Sequence, residues 1–151
     1  MGDPRNIRKC WEAPKKLSLR RIKEEDELAH KYGLRRKREQ WRAHTDLRRL
    51  REAARSLLAR RDEAKETELL ARVRRLGLIG KSGKLDQVLE LTVEDLLKRR
   101  IQTLVLQRGL ANSPRHARQL IVHGKVWVGD RVIRWPSFLV PSELESRLRV
   151  D

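Results

Sequence analysis

The chain has 151 residues, with 37 lysines and arginines against 21 acids, a formal net charge of +16, and equal hydrophobic and charged fractions of 38%. That length and polarity allow one or two small domains with modest cores, and a field of that sign favours a polyanion, either nucleic acid or an anionic membrane. The membrane is the weaker of the two, because no apolar run approaches the ~18 residues of a spanning helix.

The basic excess is spread along the chain: 26 basic and 15 acidic residues in 1–91, and 11 and 6 in 92–151. A polyanion would therefore touch most of the protein. The opening MGDPRNIRKCWEAPKK has no apolar segment, so no secretory signal is expected. Asn6 stands where N-myristoylation needs Ser or Thr. Cys10 is the sole cysteine. It has no disulfide partner and cannot build a cysteine-rich zinc site. It reads as a spectator thiol in a reducing cytosol, and neither metal nor cofactor is expected.

Residues 1–23 hold eight basic and two acidic residues with Pro4 and Pro14. This reads as an extended basic arm that orders on its partner. EEDELAHKYGL is a short helix whose acidic first turn suits the positive end of the helix dipole. Gly33 ends it with a left-handed cap. RRKREQWRAHTDLRRLREAARSLLARR is a long helix. Leu47, Leu50, Ala54, Leu57 and Leu58 form its apolar stripe. Its other faces carry Arg42, Arg48, Arg49, Arg51, Arg55, Arg60 and Arg61. That excess of one sign points to phosphate contact, the alternative being a simple solvated face. KETELLARVRRLGLI is a third helix, with Leu69, Leu70, Val73 and Leu76 inward and Gly77 as its stop. Residues 24–91 thus form a helical domain.

RLGLIGKSGKLDQ, residues 75–87, resembles a phosphate-cradling nucleotide loop at first sight. That loop needs glycine five residues before Gly80, but Arg75 is there. A helix precedes it instead of a buried strand, Gly83 follows Ser82 where a helix should start, and no apolar strand ends in a magnesium-holding aspartate. The hydrolase reading fails. Gly80 and Gly83 still allow close backbone approach, and Lys81 and Lys84 present cations with the Ser82 hydroxyl between them. The segment reads equally as a surface for a nucleic-acid backbone and as a connector.

In residues 92–151, Thr92 caps a helix with Asp95 completing a variant capping box. Leu96, Leu97, Ile101, Leu104 and Val105 form one apolar face of that helix, and Gly109 stops it. Ser113 caps the next helix with Pro114 at its first position. Ala117, Leu120 and Ile121 face inward, and Gly124 ends it. The period then changes to two: KVWV, a Gly129-Asp130 turn, and RVIRW make a hairpin. Pro136 ends or bulges the second strand, and ESRLRV supplies one more short strand. Lys98, Arg99, Arg100, Arg115, Arg118, Gln119 and Lys125 are expected to converge where the second helix meets the hairpin. Arginine suits that place because its planar fork grips phosphates and stacks on bases.

The run ANSPRHARQLIVHGKVWVGDRVIRWPSF resembles the S-four RNA-binding domain, named after a ribosomal protein of the small subunit. Ser113, Ala117, Arg118, Gln119, Leu120, Ile121, His123, Gly124, Val126, Val128, Pro136 and Ser137 match its pattern. Gly129-Asp130 replaces the usual Asn-Gly, and Phe138 the usual Tyr; both keep the geometry. KYGLRRKREQWRAHTDLRRLREAARSLLA and GLIGKSGKLDQVLELTVEDLLKRR are similar to the archaeal form of that ribosomal protein, so the resemblance covers essentially the whole chain. It implies an α+β fold: a helical domain with a basic extended arm, then a small two-helix-plus-hairpin RNA-binding domain. It also implies that Arg118, Gln119, His123, Gly124 and Lys125 face RNA. His123 fits a helix C-cap ahead of RNA contact, and catalysis ranks last because nothing is spaced to orient it as a base. Bacterial members can carry a cysteine cluster near the N-terminus; Cys10 alone implies no zinc. Trp41, Trp127 and Trp135 fit core filling ahead of base stacking, while Trp11, in the arm, is expected to stack on RNA or a neighbouring protein.

The expected function is that of a structural protein of the small ribosomal subunit, cytoplasmic and not an enzyme. It binds ribosomal RNA, holds a helix junction and supports early assembly. Its expected partners are ribosomal RNA and neighbouring small-subunit proteins, near the region where messenger RNA enters. Two rivals stand beside it. An RNA-modifying enzyme needs a cofactor loop, nucleophile or paired acids, which residues 1–91 lack. A free-standing RNA chaperone or ribosome-rescue factor is separable by fractionation.

Overall fold

A computed structural model describes residues 18–60, 62–80 and 82–151. Seven α-helices come first in this range: α1 Leu19–Tyr32, α2 Lys37–Arg60, α3 Glu63–Arg75, α4 Leu85–Glu90, α5 Val93–Lys98, α6 Ile101–Gln107 and α7 Pro114–Val122. Strands β1 Val126–Val128 and β2 Arg131–Val132, a 3-10 turn over Ser142–Arg147 and strand β3 Leu148–Val150 complete it. The sheet is antiparallel in the order β2-β1-β3. Val128 faces Arg131 across the Gly129-Asp130 turn and Leu148 on the other side. The α+β class expected from the sequence is the one observed, with ESRLRV supplying β3.

The arm read over 1–23 falls mostly outside the described residues, as do Cys10 and Trp11. α1 begins at Leu19, inside that segment. The acids at 24–27 therefore sit within the helix and not in its first turn. Three of them serve as ion-pair partners instead: Glu24 with Arg20, Glu25 with Arg21, and Asp26 with Lys37 at 3.1 Å. Gly33, at φ +61°, ends α1 as expected.

Two apolar cores form. The first gathers Leu47, Ala54 and Leu57 of α2, Leu70 and Val73 of α3, and the buried faces of α4 and α5. Leu58, read as part of the stripe, is 44% exposed; it lies one position round from buried Leu57 and turns to solvent. α4, six residues long, is too short to carry a helical periodicity in the sequence and packs on α2. The second core joins Ile101, Leu104 and Val105 of α6, Ala117 and Ile121 of α7, and the inner side of the sheet.

The helix expected from Thr92 to Gly109 is broken. Arg100 is extended, at φ −70° and ψ 142°, and separates α5 from α6. The cause is tertiary. Arg100 bridges Leu139 as an isolated antiparallel pair. Ile101 N–H donates to the Phe138 carbonyl at 2.8 Å and Val140 N–H to the Arg99 carbonyl at 3.1 Å. A single strand-like bridge with its two flanking hydrogen bonds thus interrupts the helix. Leu96 of α5 belongs to the first core and Ile101 of α6 to the second, so the division between them falls at this break.

Candidate nucleic-acid interface

The capping residues of α5 and α7 hold their places by local chemistry. Thr92 Oγ1 accepts from Asp95 N–H at 3.4 Å while Asp95 accepts from Thr92 N–H at 3.0 Å. Ser113 Oγ accepts from His116 N–H at 3.1 Å. Ser113 is therefore engaged in its own helix end. His123 sits at the α7 C-cap, exposed, and Gly124 follows at φ +75°.

The cations predicted to gather beside the hairpin divide into two groups. Arg100 and Arg118 meet on Glu39, near the start of α2. Arg100 Nη2 and Arg118 Nη2 each donate to one oxygen of that carboxylate, the second at 2.9 Å. Glu39 also accepts from Arg35 N–H at 3.3 Å. Burial alone pushes the Glu39 carboxyl up; the hydrogen bonds from Arg118 and Arg100, with their charges, outweigh that and hold it below its ordinary value. Arg99 turns the other way, donating to Glu145 at 2.7 Å and to the Val140 carbonyl at 3.0 Å. Lys98 pairs with Asp95 at 3.2 Å. So Lys98, Arg99 and Arg100 do not converge with α7 as one cluster: the break at Arg100 rotates each onto a different neighbour.

The second group stays exposed. Arg115 and Gln119 lie one turn apart on the outer side of α7, with Lys125 just beyond. Arg49 and Arg55 are exposed along α2, whose 24 residues span roughly 36 Å at the usual rise. None of these cations makes an ion pair with another described residue. Arg42 lies 3.9 Å from Asp46 and Arg48 3.4 Å from Glu52, both pairs largely in solvent. Lys84 is exposed at the α4 N-cap; Lys81 lies outside the described residues. In the loop between them, Gly83 is buried, and its carbonyl accepts from Arg74 at 2.9 Å.

Two residues that sequence reasoning missed fix the arrangement. One is Glu39. The other is Gln102, whose buried amide donates to the carbonyls of Gly33 at 3.1 Å and Pro114 at 2.9 Å. A Cβ on Gly33 would stand 2.5 Å from the Cβ of Pro114, so the α1 terminus and the α7 start touch through glycine alone. A polar residue on the apolar face of a helix was the available signal for Gln102. Nothing local marks Glu39.

The tryptophans divide as well. Trp41 is half-buried, its indole N–H 3.4 Å from Glu25. Trp127 lies on the outer side of β1 under the Arg149 guanidinium, 5.2 Å from the ring centre. Trp135 is 67% exposed, contrary to the core placement expected: Pro136 follows it and the chain leaves the sheet, so the ring never reaches the inner face.

The S4 domain family matches residues 99–145, beginning at the helix break. Small ribosomal subunit protein uS4 of Hyperthermus butylicus is 47% identical over 150 residues, covering 97% of this chain and 85% of that protein. The protein of the same name in Cenarchaeum symbiosum is 44% identical, covering 99% of this chain and 75% of that one. The chain belongs to the uS4 family. The uS4 protein of Methanoregula boonei, 44% identical, again covers 98% of this chain and 85% of its own length. In this uS4-family chain the S4 segment contains Arg100 and Arg118, while their carboxylate Glu39 lies outside it. Among the described residues, no helix is long and apolar enough to cross a membrane.

Proposed function

We propose that this chain is a structural constituent of the cytoplasmic small ribosomal subunit. It binds ribosomal RNA directly, holds a junction of RNA helices in one arrangement and supports early subunit assembly. Neighbouring small-subunit proteins complete its surroundings, near the region where messenger RNA enters. The basic arm, the helical domain and the S4-type module act together, and the chain does no bond-making. One observation carries this reading: two exposed cationic surfaces, on α2 and α7, are joined through the half-buried Glu39, while the buried Gln102 ties the α7 start to the end of α1. A rigid bracket of this kind suits RNA recognised by shape, because the A-form major groove is too narrow for side chains to read.

The test is a salt titration of the full chain against in vitro-transcribed archaeal small-subunit ribosomal RNA. Binding should weaken with a log–log slope of about −0.9 per duplex phosphate neutralised, losing roughly 10³–10⁵ in affinity between 50 and 200 mM salt. Arg115→Ala should make the slope shallower by about 1. Equal affinity for heparin and for the RNA at near-cellular salt would sink the proposal, and so would turnover in a methyl-transfer or pseudouridine assay.

A further inference from the structure

The second core lies on one side of the three-stranded sheet, against Val126, Val128 and Leu148. The register turns Trp127, Val132 and Arg149 to the other side: Trp127 pairs with Val132 on β2 and with Arg149 on β3. Arg134 joins them from just beyond β2. Its Nε and the Val132 Cγ1 stand 3.1 Å and 3.5 Å from where a Cβ on Gly124 would lie, so the missing side chain makes room for the guanidinium. Lys125 precedes buried Val126 and is exposed on the same side. Arg134 and Arg149 are exposed as well. Arg149 lies over the Trp127 indole, 5.2 Å from its centre, a contact that uses its flat face and none of its N–H donors. Among the described residues, no carboxylate or carbonyl accepts from the side chains of Lys125, Arg134 or Arg149. Asp130 in the hairpin turn and Asp151 after β3 are exposed and pair with none of the three.

We infer that this outer sheet face docks the sugar–phosphate backbone of a paired RNA segment, Arg134 and Arg149 each gripping phosphate oxygens and Lys125 adding a third cation. This rests on the RNA-binding reading above and adds a site to it, sharing only Lys125 with the group beside α7. Two observations choose the occupant. The exposed large hydrophobic side chains are Leu19, Leu58, Leu110, Val122 and Trp135, and none of them belongs to the three strands. A protein partner would find no apolar centre on this face, although interfaces between proteins are most apolar at their core. A phosphate backbone requires none. The second observation concerns the indole. Half-buried and covered by a guanidinium, it is a prop and not an open platform, so an unpaired base gains no stacking surface. What stays unspent is the donor fork of each arginine, which matches phosphate oxygens bidentately. Because Trp127 already holds Arg149, less side-chain freedom is lost on docking.

Salt titrations of the full chain with archaeal small-subunit ribosomal RNA test this. Arg134→Ala and Arg149→Ala should each make the slope shallower by about 0.9, the value for one duplex phosphate, and the double variant by about 1.8. Arg149→Lys keeps the charge and should keep the slope. Trp127→Leu should weaken binding about 2- to 10-fold at unchanged slope, because Arg149 stays charged but loses its prop; Trp127→Phe, which keeps a π-face, should bind more tightly than Trp127→Leu. Lys65→Ala on α3, whose cation is paired with Asp62, is the control and should leave the slope alone. Arg134 and Arg149 are exposed, so circular dichroism and melting of their variants should match the native chain. Hydroxyl-radical cleavage of the RNA should lose protection over one paired segment in the double variant and keep the rest of the footprint. An unchanged slope in the double variant overturns the inference while leaving the proposed function standing. Protection lost over unpaired nucleotides instead also overturns it. So does native-like RNA binding accompanied by loss of the double variant from salt-washed subunits, which marks an acidic protein partner. Failure of the native chain to prefer ribosomal RNA over heparin is a separate result and falls on the proposed function itself.

Discussion

Replacing Glu39 by glutamine keeps the shape of the side chain and removes its charge. The side chains of Arg100, Glu39 and Arg118 are 6%, 18% and 24% exposed, so the three groups sit largely away from water. In Glu39→Gln two guanidinium groups face one another with a single carbonyl between them. Removing one partner of a buried pair costs about 3–5 kcal/mol; the water that still reaches Glu39 and Arg118 reduces this to about 2–3 kcal/mol. Urea melts of the full chain at pH 7 and moderate salt measure it. With a slope near 2 kcal/mol/M, the midpoint should fall by about 1–1.5 M. The acid limb supplies a second reading. Because the native carboxyl is held below its unfolded value, the stabilisation is complete above about pH 4.3 and is lost as pH falls through the native pKa. The difference between native and Glu39→Gln chains should therefore close in acid. A double-mutant cycle with Arg118→Gln should show a coupling of at least about 1 kcal/mol. A midpoint drop below about 0.3 M, or an additive cycle, refutes the reasoning.

Gly33→Ala combines a left-handed φ of +61° with a Cβ 2.5 Å from that of Pro114; about 3–4 kcal/mol should be lost. Gly109→Ala, at φ +70° with open space around it, should lose only about 1–2 kcal/mol by the same melts, and equal losses would dismiss the contact with Pro114. Gln40 is 1% exposed, and neither polar atom of its amide finds a partner among the described residues; Gln40→Met should gain about 1 kcal/mol, raising the melting temperature by a few degrees. Thr92→Ala removes half of the α5 capping box and should cost about 1 kcal/mol, read as faster hydrogen exchange confined to α5.

Features decided by neighbouring residues were legible in the sequence. The caps at Thr92 and Ser113, the glycine stops at Gly33, Gly77, Gly109 and Gly124, and the Gly129-Asp130 hairpin rest on chemistry within a few residues. Features decided across the chain were not. Nothing in LLKRRIQTLV shows that Arg100 leaves the helix, because its carboxylate lies 61 residues away and its backbone partner is Leu139. For the same reason Arg99, Arg100 and Arg118 read as a cationic cluster, although each is held by an acid of another segment. Arg115, Gln119 and Lys125 are exposed on the outer face of α7 and just beyond it. Trp135 was misplaced because alternation along RVIRW continues a strand that stops at Val132.

A portable module must carry its own counter-ions if it is to behave alike in every host. The S4 segment of this chain does not: Arg100 and Arg118 depend on an oxygen pair supplied by α2. Phosphate is the ready substitute for that carboxylate, so without Glu39 these two cations would cling to any polynucleotide. If the chain binds RNA as proposed, Glu39 would then act as an internal decoy that keeps the adhesive part of the molecule discriminating. Glu39→Gln should accordingly narrow the ratio of cognate to random-sequence RNA affinity; an unchanged ratio removes the decoy role and leaves the carboxylate a purely architectural one.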